Sequence, residues 1–229
     1  MKNRIFTISL LSLATALCVV VTGCKSKPTY KQGAAAGTNL EKAADKITKT
    51  DDQVGAVMAG LTNLTANPTG DLSKQYKTWT SSLSSLQSMA TDVQKVSLQM
   101  IEKGNEYFKA WDENLAAIAN EDIRARSQQR KDEVSKSFAE IKRQYAQAEI
   151  DFRPFMSDLQ DIKKFLDTDL TVGGLAAIKD TVTKAAEHAV PLRKSLGALS
   201  DEFRKLGVEL MPTAPAPESA TTTPAPSGS

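Results

Sequence analysis

Three kinds of residue in this chain could do chemistry: a lone histidine, two cysteines and several groups of charged side chains. His188 is the one histidine. A metal site wants several ligands in a fixed geometry, so His188 reads as a half-exposed helix histidine and no metal is expected. Asp158, Asp161, Asp167 and Asp169 fall close together. A paired-acid hydrolase needs two such groups facing one cleft. Helical phase places Asp158 and Asp161 on an outer face, where solvated charge is the better reading. No serine lies in a Gly-x-Ser-x-Gly elbow. Gly173-Gly174 is too short for a phosphate-cradling loop. No catalytic residue and no cofactor are therefore expected, and the chain reads as non-enzymatic.

The most suggestive polar stretch is NEDIRARSQQRKDE, from Asn120 to Glu133. Arg124, Arg126, Arg130 and Lys131 cluster there, and could touch anionic lipid, a wall polymer or an acidic partner. Glu121, Asp122, Asp132 and Glu133 flank them. The competing reading is a mixed-charge solvated helix with internal ion pairs, and the near balance of charge favours it.

The cysteines bear on location. Lys2 and Arg4 open the chain, and an apolar run follows from Ile5 to Val21, broken by Thr7, Ser9, Ser12 and Thr15. A basic start, an apolar core and then small residues is the layout of a secretory signal. Val21-Thr22-Gly23-Cys24 resembles the lipobox of bacterial lipoproteins, although Leu and then Ala or Ser are the commoner first residues there. That resemblance makes residues 1–23 a cleaved signal peptide. It makes Cys24 the site of lipidation: a diacylglycerol on sulfur and a palmitate-class chain on the new amino terminus. Two or more chains anchor a protein stably where one does not. The alternative is an uncleaved leader helix with Cys24 buried. Lys25, rather than Asp, at the second mature position implies outer-membrane sorting, by resemblance to Gram-negative lipoproteins. The expected location is the cell envelope, on the periplasmic face of the outer membrane.

Cleavage also removes Cys18, so the mature chain has no disulfide partner. The full chain has 29 Lys+Arg and 27 Asp+Glu, and loss of Lys2 and Arg4 leaves 27 of each. That balance argues against nucleic acid as a partner.

Between two polar ends lies a chain with almost no strand signal. Residues 24–37 hold Pro28, Gly33, three alanines and Gly37, and read as a flexible tether. Residues 212–229 hold five of the nine prolines and no aromatic residue, and read as a disordered tail. Residues 38–211 carry apolar residues at alternating steps of three and four, the helical period.

Four helices are expected in that domain. The first has Leu40, Ile47, Val54 and Leu61 seven apart and ends before the turn signal at Asn67-Pro68-Thr69-Gly70. Asp71 can cap the second. Its seam runs through Leu72, Trp79, Leu86, Val93, Met100 and Tyr107, interleaved with Tyr76, Leu83, Ala90, Ser97, Gly104, Trp111 and Ile118. Trp79 and Trp111 lie in phase with it and read as core. Ala90, Ser97 and Gly104 would let a neighbouring helix approach closely. Asn120 caps the third helix, whose first turns are polar and should project beyond the core. Thr171 caps the fourth, which continues to Leu210. Pro154 and Pro191 should kink the third and fourth helices. Hairpin geometry puts the two prolines about one turn apart in height.

The expected fold is all-α: an elongated antiparallel helical bundle with the second and third helices protruding as a long coiled-coil hairpin. Self-association through the heptad seam stays open, because a seam does not say whether its partner is in the same chain.

From Phe108 onward the chain resembles a family of bacterial envelope lipoproteins described only as a domain of unknown function. The resemblance rests on FKAWDENLAAIANEDIRARSQQR and DFRPFMSDLQDIKKFLDTDLTVGGL, with their F-x-x-W, I-x-N-x-x-x-R-x-x-S and DLT features in order. It covers half to two-thirds of the mature chain. It implies an all-helical envelope protein and carries over no catalytic residue or ligand. The functional expectation is a membrane-anchored helical spacer, tether or scaffold, whose partner is an unidentified envelope protein or wall component. The alternative is a binding module for an apolar ligand, either a lipid or an exposed chain segment.

Overall fold

The computed structural model describes residues 30–66, 68 and 71–212. The expected signal peptide 1–23, Cys24, the start of the expected tether and the expected tail from residue 213 lie outside the described residues. Among the described residues five helices follow in order: α1 Tyr30–Ala66, α2 Leu72–Ala117, α3 Glu121–Thr168, α4 Val172–Ala177 and α5 Lys179–Leu210. No strand occurs among the described residues.

Each expected cap forms. Asp71 Oδ1 accepts from the Ser73 amide at 3.0 Å, Asn120 Oδ1 from Ile123 at 3.0 Å and Thr171 Oγ1 from Gly174 at 3.1 Å. These bonds satisfy amides that a helix start leaves without partners.

The four long helices form an antiparallel bundle whose register is constant. Between α3 and α5, Ser137 faces Glu209, Asp151 faces Ser195 and Asp158 faces His188. Each rise of seven or fourteen residues on α3 is matched by the same descent on α5. Between α2 and α3, Tyr76 meets Asp167, Gln94 meets Glu149 and Asp112 meets Lys131. Those steps are eighteen residues on both helices, or five turns. The α1–α5 pair closes the ring. Arg193 makes a two-bond clasp with Asp51 at 2.8 and 3.1 Å, and Arg204 donates to Asp45 at 2.9 Å.

The apolar stripes meet inside this ring. Leu40, Ile47, Val54 and Leu61 on α1 are buried, as are Phe155, Leu159, Ile162 and Leu166 on α3 and Leu192, Leu199, Phe203 and Leu206 on α5. Along α2 burial is uneven. Trp79 to Ser97 contribute fully buried side chains, whereas Met100, Ile101, Phe108 and Trp111 are only partly covered.

Two expectations about element boundaries change. The segment 30–37, read as part of the tether, is the first two turns of α1. Its glycines are a packing face. A Cβ on Gly37 would stand 2.7 Å from the Gly207 carbonyl oxygen, and one on Gly33 would stand 3.3 Å from that of Leu210. The α1 and α5 backbones therefore cross with no side chain between them. The fourth helix is broken at Ile178 (φ −95°, ψ 1°), which divides α4 from α5. Gly174 lies so close to the end of α3 that a Cβ would fall 2.2 Å from the Asp169 carbonyl oxygen. That contact pins α4, and the break lets α5 take its own register against α3.

The hairpin of α2 and α3 protrudes as expected. Its last turns extend about 15 Å beyond the level of Tyr30, at 1.5 Å per residue. Residues 121–126 at its tip are exposed. Both prolines lie within continuous helices. The α3–α5 register puts Pro154 opposite Leu192 and Pro191 opposite Phe155, so they share one level to within about a residue's rise, 1.5 Å.

Candidate functional site

The charged tip does not form one basic patch. Arg130 donates to Glu133 at 3.2 Å and to the Glu209 carbonyl at 3.0 Å, tying the tip to the end of α5. Lys131 pairs with Asp112 across the hairpin. Arg124 donates to the Ile118 carbonyl at 3.3 Å and lies 3.8 Å from Glu121. Arg126 is exposed, with no ion pair or hydrogen bond among the described residues. Three of the four cations thus brace the tip, and Arg126 is the one left for an outside anion.

His188 and Asp158 come together where sequence placed each apart. The His188 Nδ1 lies 2.7 Å from Asp158 Oδ2, and the histidine side chain is 41% exposed. Asp158 is therefore a bridge between α3 and α5 rather than plain solvated charge. Asp161 pairs with Lys164 at 3.2 Å, Asp169 accepts from Thr171 at 2.7 Å and Asp167 pairs with Lys163 at 2.6 Å. The Lys163 bond, with one from Tyr76, holds the Asp167 carboxyl below the usual range. These acids do not converge on a cleft. Among the described residues no group of three His, Cys, Asp or Glu side chains could hold a metal ion. No described helix is long and apolar enough to cross a membrane.

The concave surface lies elsewhere, along the α2–α3 seam. Sequence reasoning expected the small residues Ala90, Ser97 and Gly104 to draw a helix close. Instead, the Phe138 ring lies over Gly104, where a Cβ would fall 2.2 Å from its Cζ. Ala90 lines a cavity. Side chains rather than backbones span the gap. Phe108 and Phe138 have ring centroids 5.4 Å apart, and Trp111, packed 5.5 Å from Tyr107 on its own helix, donates from Nε1 to Ser127 at 3.1 Å. Trp79 is core, as expected, while Trp111 is half-buried and props the hairpin.

Three cavities open along this seam among the described residues; the smallest, about 310 Å³, lies nearest the tip, with Trp111, Ser127, Arg130 and Glu209 among its walls. The upper one, about 500 Å³, is floored by Leu192, Leu196 and Leu199, with Gln94, Glu149 and Arg153 among its walls. Tyr145 donates to Glu149 at 2.8 Å. Burial and that carboxylate push the phenol well above its ordinary range. The lower cavity, about 730 Å³, lies towards the tip. Leu40, Met100, Phe108, Phe138, Ile141 and Leu206 line it, and Lys103, Glu106, Lys109 and Glu113 stand at its edge. Burial also raises the Tyr107 phenol in its lining, with Arg130 opposing. The uneven burial of α2 could not be read from its heptads, which are as regular below Ser97 as above it.

No curated protein and no solved structure matches the chain. A family model does match, over residues 34–203, which takes in α1 and α2 as well as the stretch from Phe108 that carried the resemblance. The chain belongs to the family described as protein of unknown function (DUF2959).

Proposed function

We propose that this is a non-enzymatic, lipid-anchored protein of the bacterial cell envelope, held by an acylated Cys24 on the periplasmic face of the outer membrane, where it acts as a helical spacer, tether or scaffold. One observation carries the reading: the start of α1 and the α2–α3 tip lie at the same end of the bundle. Cys24 precedes Tyr30 by six residues, which span at most about 20 Å when extended. The tip extends about 15 Å past Tyr30. An anchored Cys24 would therefore bring the tip, with Arg126, to the headgroups of its own membrane. The opposite end would stand about 55 Å beyond the level of Tyr30, the length of α1 at 1.5 Å per residue. This favours lipid over a distant wall polymer as the contact of the tip. A protein or wall partner would engage the far end, at the α1–α2 and α3–α4 joins. Photocrosslinkers placed at Arg126 and at Asp71 in intact cells test the reading. Lipid adducts from the first and an envelope protein or wall fragment from the second are expected. Neither product from either site would refute it.

A second reading, a module that binds an apolar ligand, is favoured by the two larger cavities of the α2–α3 seam. Native mass spectrometry of protein extracted from membranes tests it, a retained lipid being the expected result. Protein of bare mass, under conditions that preserve lipid on a control lipid-binding protein, would count against it.

A further inference from the structure

We propose that the lower cavity of the α2–α3 seam holds one acyl chain of a glycerophospholipid taken from the bilayer on which the protein stands. The inference rests on the second reading above and specifies its site and ligand.

The walls set the chemistry. Leu40, Met100, Phe108, Phe138, Ile141 and Leu206 offer a hydrocarbon no hydrogen-bond partner and no buried charge, and the Tyr107 phenol is the one partly buried polar side chain in the lining. A polar ligand would lose most of its hydration there with little compensation. Size agrees: about 730 Å³ lies within the usual range for sites that enclose a small molecule. The part of α2 along it, from Met100 to Glu113, is about 20 Å long. One leaflet of a bilayer, half of a hydrocarbon core of about 30 Å, is about 15 Å deep. A chain of membrane-lipid length therefore fits along the cavity.

The edge keeps a headgroup in water. Lys103, Glu106, Lys109 and Glu113 are exposed and make no ion pair among the described residues. Two cations and two acids do not select headgroup charge, so occupancy depends on the chain. Position agrees too. Ala35, Ala36 and Asn39 line the cavity, which puts it within three turns of Tyr30, at the end from which the chain leads to Cys24.

A partner helix fits less well. It would be about 10 Å across and would need a continuous apolar stripe. The upper and lower cavities share no lining residue, so the stripe is interrupted between them. The upper cavity also carries Gln94, Glu149 and Arg153 on its walls and is the smaller. It is the poorer place for bare hydrocarbon.

The test uses the full chain mixed with vesicles of phosphatidylcholine or phosphatidylglycerol that carry a photoactivatable acyl chain. Adducts are mapped by peptide mass spectrometry. Adducts on residues 100–113 and 134–141, in comparable yield from both vesicle types, are expected. Ala36→Trp and Ala110→Trp fill the lower cavity, and removing the apolar area open to the chain should lower the yield about tenfold. Ala90→Trp fills the upper cavity and should leave the yield unchanged. Adducts that map to the upper cavity, or that are lost with Ala90→Trp alone, would overturn this inference and leave the second reading standing. No adduct from either vesicle type would overturn both. Mapping on the wild-type chain decides the site even if a filled variant fails to fold.

Discussion

Replacing Gly37 by alanine adds one methyl group at the point where α1 and α5 touch backbone to backbone. In a helix interior the exchange should stabilise by about 1 kcal/mol, because glycine loses more freedom on folding. At Gly37 the new Cβ would lie 2.7 Å from the Gly207 carbonyl oxygen and 2.9 Å from Met211 Cγ. The methionine can move aside, but the carbonyl belongs to a helix fixed by the Arg193–Asp51 and Arg204–Asp45 bridges. Overpacking of this kind costs about 1–3 kcal/mol, so the net effect runs from near zero to a loss of about 2 kcal/mol. Gly197 is the internal control. It lies within α5, is exposed, and a Cβ there would meet nothing within 4 Å. Gly197→Ala should give the full gain of about 1 kcal/mol. Urea unfolding followed by far-UV circular dichroism reads the difference. With a slope of about 2 kcal/mol per molar, the midpoints should differ by roughly 0.5–1.5 M. Equal upward shifts for both variants would show that α1 and α5 do not cross at Gly37, and residues 30–37 would revert to a tether.

Cys24→Ala should move the protein from membrane to soluble fractions with its helical dichroism intact; a membrane-bound variant would refute lipid anchoring at that residue. Ser195 shares its one hydroxyl proton between Asp151 and the Pro191 carbonyl, so Ser195→Ala should cost about 0.5–1.5 kcal/mol by removing a part-buried hydrogen bond between α3 and α5, and an unchanged unfolding midpoint would deny the bridge. Burial raises the phenols of Tyr76, Tyr107 and Tyr145 in the folded state. Each then contributes stability that is present below the ordinary tyrosine pKa of about 10 and lost as pH rises above it. Unfolding midpoints should fall above that pH, and less steeply in Tyr76→Phe with Tyr145→Phe; identical slopes would be the contrary result. Arg126→Glu should weaken crosslinking of the tip to anionic lipid while leaving the fold unchanged, whereas Lys131→Glu should loosen the hairpin itself, as read by faster amide exchange in residues 108–133.

Most of the scaffold was legible in the sequence because its signals are local. Asp71, Asn120 and Thr171 are capping residues placed just before apolar periods, and all three cap. The heptad positions of α1 and α5 are buried because both helices are enclosed by neighbours. The start of α1 was hidden for the opposite reason. Gly33 and Gly37 bury backbone rather than side chain, and an apolar period cannot record that. Their spacing of four residues, one helical turn, was the available signal. The cavities escaped for a third reason. A heptad on α2 states which face turns inward, but not how near the opposite helix will come. The distance is set by Phe138 over Gly104, a contact between residues 34 apart in sequence. At the tip, Arg124, Arg130 and Lys131 looked equivalent to Arg126 because their partners include a distant carbonyl of α5 and a carboxylate across the hairpin.

The matched steps between helices carry a consequence for how such a molecule can change its length. Residues gained in α3 alone would slide Ser137, Asp151 and Asp158 out of reach of Glu209, Ser195 and His188 together. Repair requires an equal gain at the same height in α5, and then in α1 and α2, which are locked to them. The gain must also keep each stripe inward, which whole heptads do. The length of the bundle is therefore quantised. A taller or shorter relative should differ by a slab about 10 Å thick, seven residues from every long helix at once, and single-helix insertions should be confined to the joins between helices.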